Sequence, residues 1–144
     1  MTWRRFAFAA AAWLYLAGIV VQVFFAGAAL FELTDWTVHA GLGWGLGSAP
    51  LLLVVLAAIA RTDRRTVLWT AGLTVAALVQ PELAAARDTN PIVAAFHPVN
   101  ALFLFWLAWI VARRSARSVQ LTLARTGARG AGPAADVPPV AGPR

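Results

Sequence analysis

Hydrophobic and polar positions in this chain do not alternate; the apolar residues run together in four long blocks separated by short polar interruptions. The first block extends from Phe6 to about Phe31, the second from Trp36 to about Ala60, the third from Thr66 to about Leu83 and the fourth from Pro91 to Ala112. A helix rises about 1.5 Å per residue and the hydrocarbon layer of a bilayer is about 30 Å thick, so roughly 20 residues cross it. The pattern predicts four membrane-crossing helices, 6–31, 36–60, 66–83 and 91–112, in up-down-up-down order. The fold class expected is all-α, a four-helix transmembrane bundle.

The interruptions supply the helix ends. Thr34 and Asp35 stand where they can accept hydrogen bonds from the first free N–H groups of the second helix, and Asn90-Pro91 pairs a capping side chain with a proline at the first helical position. Pro50 falls inside the second block and is expected to bend it. Arg61-Thr62-Asp63-Arg64-Arg65 reads as a tight charged turn in water. Arg4 and Arg5 ahead of an apolar run, with Ala26-Gly27-Ala28 near its end, also fit a cleavable signal, but the run is long for a signal core and is read as a retained helix. From about Ser115 the composition turns to Arg, Ala, Gly and Pro, which predicts a flexible, disordered C-terminal tail over 115–144 behind a bundle domain of residues 1–114.

Composition agrees with the blocks. With 60% hydrophobic and 12% charged residues in 144, the chain belongs in a lipid bilayer. The absence of cysteine excludes disulfides, thiolate metal sites and cysteine nucleophiles. The net charge of +6 comes from arginine alone, and the arginines bracket apolar blocks instead of covering a solvated surface, which argues against nucleic acid as a partner. Arg4, Arg5, Arg61, Arg64, Arg65, Arg113, Arg114 and Arg117 fall at one end of the bundle, whereas the two other loops hold Arg87 beside Glu32, Asp35, Glu82 and Asp88. The positive-inside rule then predicts a multi-pass protein of the cell membrane with both termini cytoplasmic.

Candidate chemistry begins with a repeat. Gln22 precedes His39 and Gln80 precedes His97 at the same spacing, and these are the chain's two histidines. Superposing residues 14–55 on 72–113 also matches Val21 with Val79, Ala26 with Ala84 and Ala28 with Ala86, so the bundle reads as two repeated helical hairpins. Helices two and four lie diagonally opposite in such a bundle, and both histidines fall about a turn from the same end. Zinc usually takes three or four protein ligands, whereas haem takes only axial ones, so two histidines without cysteine best match bis-histidine haem b. His39 and His97 are the expected metal ligands. Gln22 and Gln80 are expected to bond the outer ring nitrogens, Arg87 to pair with a propionate, and Gly41 and Gly43 to leave room for the macrocycle, with Asn100 also in the site. Without a cofactor, the same residues are polar contacts between helices.

His97-Pro98-Val99-Asn100-Ala101, with Gln80 upstream and Val38-His39-Ala40 in the first half, resembles an uncharacterised family of short bacterial four-helix integral membrane proteins over about residues 6–114. The layout is also similar to one four-helix half of haem A synthase, each half of which uses such a histidine pair for haem. Where the catalytic half of that enzyme has a glutamate, three residues before the second-helix histidine, this chain has Trp36, and it lacks the outer-loop cysteine pair of many members. That resemblance implies a haem-binding bundle and not haem A synthesis.

Two function classes follow. One is a small electron-transfer module with a membrane redox partner; the other is a cofactor-free accessory or assembly subunit of a larger membrane complex. An enzyme ranks below both, since the bundle offers no general acid or base beyond the histidines. The apolar faces leave a homodimer open.

Overall fold

A computed structural model describes residues 2–130, with side chains over 3–127. It is all helical among those residues: α1 (Thr2–Leu30), α2 (Trp36–Ile59), α3 (Arg64–Ala85), a 3-10 turn (Ala86–Asp88), a single turn α4 (Pro91–Ala94) and α5 (Phe96–Gly130). Four segments are long and apolar enough to cross a membrane, Trp3–Leu30, Trp36–Ile59, Arg64–Asp88 and Pro91–Gly127. The protein is an integral membrane four-helix bundle. Its helices pack in a ring, α1 on α2, α2 on α3, α3 on α5 and α5 on α1, so that α1 faces α3 and α2 faces α5 across the diagonals.

The ends of α1 and α2 are built alike. Leu33 N–H donates to the Ala28 carbonyl and Thr62 N–H to the Ala57 carbonyl, which closes each helix with a left-handed residue, Glu32 at φ 59° and Arg61 at φ 50°. Glycine is the usual residue in that position, because a Cβ crowds the following carbonyl. The expected cap of α2 takes a different form: Asp35 is the N-cap residue but its side chain accepts no hydrogen bond, and the Thr34 hydroxyl donates to the Asp35 carbonyl instead. Asn90 does cap α4, accepting from Val93 N–H at 3.3 Å. Pro50 lies buried within α2, which continues unbroken through it.

The largest departure from the sequence expectation is α5. The fourth helix does not close at residue 112 but continues to Gly130, and at 35 residues it spans about 52 Å, well beyond the hydrocarbon layer. Ala, Arg, Leu and Gln are strong helix formers, and the composition that suggested a flexible segment is equally that of a solvated helix. The extension also has a partner, since Ser115 and Val119 are buried and the Arg5 guanidinium donates to the Thr122 hydroxyl at 2.8 Å. Residues 131–144, the rest of the expected tail, lie outside the described residues.

Close packing is concentrated in the half of the bundle nearer the arginine-rich end. Phe8, Ala12, Ala57, Leu73, Ala77, Ala108, Val111 and Ala112 are almost wholly enclosed there. Small residues on all four helices let the backbones approach, which inside a bilayer replaces the hydrophobic effect as the source of cohesion. Thr66, Thr70 and Thr74 line the buried face of α3 with their hydroxyls satisfied: Thr70 donates to the Thr66 carbonyl, Thr74 to the carbonyls of Thr70 and Pro50. Trp13 meets Trp109 edge to face at 5.8 Å and Trp69 meets Trp106 at 5.7 Å, tying α5 to both neighbours.

One ionic cluster locks the arginine-rich end. Asp63 caps α3, its carboxylate accepting from the Thr66 hydroxyl at 2.6 Å and from Arg114 Nη2 at 2.7 Å, while Arg114 Nε donates to the same Thr66 hydroxyl at 2.9 Å. The Thr66 hydroxyl bond holds the Asp63 carboxyl below its ordinary range, aided by the Thr66 backbone N–H and Arg114 and opposed by partial desolvation. Because the folded pKa is depressed, this contribution to stability is fully present above the ordinary carboxylate value of about 4 and is lost as pH falls through the lower folded one. Thermal unfolding of the purified protein between pH 7 and pH 3 is expected to show a steeper acid loss in wild type than in Asp63→Asn. Parallel profiles would remove the cluster from the acid response.

Candidate functional site

At the end of the bundle away from the arginines, two helix hairpins make the same set of contacts. In the first, the His39 ring approaches the Gln22 carbonyl with Nδ1 at 3.2 Å, and Gln22 Nε2 donates to the His39 carbonyl at 2.8 Å while lying 3.4 Å from His39 Nε2. In the second, His97 Nδ1 is 3.0 Å from the Gln80 carbonyl, and Gln80 Nε2 donates to the His97 carbonyl at 3.1 Å with 3.4 Å to His97 Nε2. Atom matches atom in six contacts across hairpins that share few identities, which is the strongest sign of the repeat.

A carbonyl oxygen can only accept, so Nδ1 carries the hydrogen in both rings and Nε2 keeps the lone pair. The glutamines therefore act differently from the expectation. Their main-chain carbonyls orient the rings and fix the tautomer, and their side-chain amides clamp the histidine backbones. The amide-to-Nε2 contacts, at 3.4 Å, lie beyond the usual 2.7–3.2 Å of a good hydrogen bond. Each Nε2 lone pair thus has only a long, weak contact.

The two clamps face each other. His39 on α2 and His97 on α5 cross the bundle diagonal to bring their ring centres within 6.3 Å, with planes inclined by 70°. All of His39, His97, Gln22, Gln80 and Asn100 are half-buried. Trp36 packs edge to face on His39 at 5.7 Å, one turn earlier on α2. Gly43 borders the site, because a Cβ there would stand 2.8 Å from Gln22 Nε2. A Cβ added to Gly41 meets nothing within 4 Å. Arg87 is also apart, highly exposed and paired with Asp88 at 3.3 Å. Phe24, Trp44 and Phe96 are mostly exposed on the outside of the bundle.

Over residues 22–86 the chain is similar to a family of unknown function, DUF6220. The matched stretch opens on Gln22, includes His39 and Gln80, and ends before His97. No curated protein and no solved structure matches the chain.

The two halves differ at one atom pair. Asn100 Nδ2 donates to Gln80 Oε1 at 2.6 Å and to the Ala76 carbonyl at 2.9 Å, completing the second clamp. In the superposed repeat its counterpart is Leu42, and Gln22 Oε1 is buried with no partner. An amide flip does not relieve this, since it would set Oε1 against the His39 carbonyl. A buried acceptor left without a donor costs about 1–3 kcal/mol. Leu42→Asn, which copies the second clamp into the first, is therefore expected to raise the unfolding midpoint in mild detergent, and Asn100→Leu to lower it. Equal midpoints for wild type and Leu42→Asn would show that Gln22 Oε1 is already satisfied.

Proposed function

We propose that the protein is a membrane-embedded haem b module in which His39 and His97 would hold the iron. One observation carries this reading, the 6.3 Å separation of the two imidazole centres. With metal–imidazole bonds of about 2.0–2.1 Å and roughly 1.2 Å from ring nitrogen to ring centre, two imidazoles on opposite sides of one ion have centres about 6–6.5 Å apart. A 70° angle between ring planes is compatible with rotation about each metal–nitrogen bond. The donor set fits as well: two neutral rings, tautomer fixed with Nδ1–H on a carbonyl and Nε2 free to ligate, is the arrangement a ligating histidine requires.

Bound haem supplies a one-electron centre whose potential follows its axial ligands and surroundings. The chain's own residues orient both rings and hold each Nδ1 proton on a carbonyl. For the macrocycle to enter, the amides of Gln22 and Gln80 would have to move off Nε2, giving up their bonds to the histidine carbonyls as well as the long contacts to the rings. By the positive-inside rule the arginine-rich end is cytoplasmic, which puts the histidine pair near the opposite face, within reach of a redox partner there.

A second reading is favoured by the Gln80–His97–Asn100 clamp, in which both side-chain amide atoms of Gln80 and the Nδ1 of His97 have partners without any cofactor. On that reading the histidines are polar glue between helices, each contact worth about 1 kcal/mol, in an accessory subunit. One absorbance scan separates the two. Protein purified from haem-replete cells is expected to be coloured and to give a b-type spectrum on reduction with dithionite. Colourless protein that takes up no haem on titration overturns the haem reading.

A further inference from the structure

We propose that the arginine-rich end of the bundle carries a binding site for the phosphate of an anionic phospholipid. It lies in a cavity of about 350 Å³ where the start of α1, the end of α2 and the extension of α5 meet. That volume is at the lower end of the range for small-molecule sites, suited to a head group. Arg4 and Arg5 of α1, Arg61 of the turn after α2 and Arg125 of α5 line it together with Thr122 and Thr126. Four arginines around one space, with the Arg4 guanidinium also over the Trp3 ring at 5.6 Å, repel one another less when an anion stands among them.

The chain does not provide that anion among the described residues. The carboxylates of Glu32, Asp35, Glu82 and Asp88 are at the far end of the bundle, and Asp63 is engaged by Thr66 and Arg114. Arg5 spends one nitrogen, Nη1, on Thr122 and the Ser118 carbonyl, which fixes its position and leaves its remaining N–H groups free to donate.

Arg61 adds an independent observation. It holds the left-handed C-terminal position of α2 at φ 50°, where glycine would be relaxed. A strained arginine in a cavity of arginines is accounted for if its side chain is needed there. The occupant is a lipid head group in preference to free phosphate because Ile59 and Ala60 form an apolar floor, and because the cavity lies where the membrane spans end. Phosphate oxygens would meet the arginines there while the glycerol and acyl chains run down the exposed apolar surface of the helices. The site is at the opposite end from the histidine pair and does not depend on the haem reading.

The test uses the delipidated full chain in a neutral detergent, titrated with phosphatidylglycerol, phosphatidylcholine or inorganic phosphate, and read by thermal unfolding and by retention of lipid in native mass spectrometry. Phosphatidylglycerol is expected to raise the midpoint and to be retained, and the other two to do neither. At about fivefold per interfacial arginine, Arg61→Gly with Arg125→Gln should weaken phosphatidylglycerol binding roughly 25-fold. Arg61→Gly alone relaxes the backbone, so it should fold at least as well as wild type and still lose about fivefold, which decides the matter if the double variant misfolds. Equal stabilisation by phosphatidylcholine, an equal effect of inorganic phosphate, or unchanged affinity in Arg61→Gly would each overturn the proposal.

Discussion

If the proposed haem is bound, His39→Ala protein is expected to purify as a folded, colourless bundle, without the reduced b-type spectrum expected of the wild type. On the proposed haem reading His97→Ala should behave in the same way, because the two rings, 6.3 Å apart, would hold the haem together. The loss should be essentially complete in absorbance, while stability without haem falls by about 1 kcal/mol, the worth of one interhelical polar contact. The small stability change follows from the location of the site, at the looser end of the bundle, where the surrounding side chains are half-buried or exposed. Stability and spectrum should therefore separate. A variant that keeps the wild-type spectrum would remove that histidine from the ligand set, and a paired loss of colour and fold would favour a structural role. Gln22→Leu offers a finer check. The main-chain carbonyl that orients His39 survives this change, so haem binding should persist even though the side-chain clamp on the His39 backbone is lost.

Phe8→Ala should do the reverse, costing about 2–3 kcal/mol of stability without touching either histidine. Phe8 is 1% exposed in the tightly packed half of the bundle, amid small residues that cannot expand to fill the space it leaves. In a soluble protein the same truncation costs more, since water-to-core transfer is added to the cavity. Here the unfolded reference is a set of separate helices in lipid, so the penalty is mainly lost dispersion contact between closely approached backbones. Unfolding in mixed micelles, followed by far-UV circular dichroism, measures it. A shift below about 1 kcal/mol would mean that the packed half does not carry the cohesion assigned to it.

These two expectations divide the molecule into a half that holds it together and a half that presents the histidines. The division is only partly visible in the chain. Four apolar blocks, each bounded by charge or by Asn-Pro, were enough to give the number of helices and their antiparallel order, and the observed bounds of α2 differ from the expected ones by a single residue. The fourth block misled at its end. Its apolar face gives way to arginines at 113 and 114, which mark where the hydrocarbon stops, but a helix does not need hydrocarbon to continue. Arg5 on Thr122 and the burial of Ser115 and Val119 against the rest of the bundle carry α5 onward, and those contacts join residues more than a hundred positions apart.

The histidine site was similarly half legible. The seventeen-residue spacing from glutamine to histidine gave the repeat, and the bundle order gave the diagonal. Arg87 was grouped with the site for its charge and Gly41 for the room it leaves; Arg87 pairs with Asp88 in an exposed turn and Gly41 opens onto empty space. Spacing fixes directions only relative to one another on one helix, not which face of that helix meets its neighbours.

The sequence by itself determined the solvent of each segment, the number of crossings, the end that gathers positive charge and the pairing of two histidines at matched depth. Those properties are sums over neighbouring residues, set by transfer free energy and helical rise. Only the tertiary structure decided which glutamine atom meets which ring nitrogen, that Gln22 Oε1 is left without a donor while Gln80 Oε1 has Asn100, and that four arginines surround one cavity. Each of these depends on the rotation of a helix about its own axis, and that rotation is chosen by packing against helices distant in the chain.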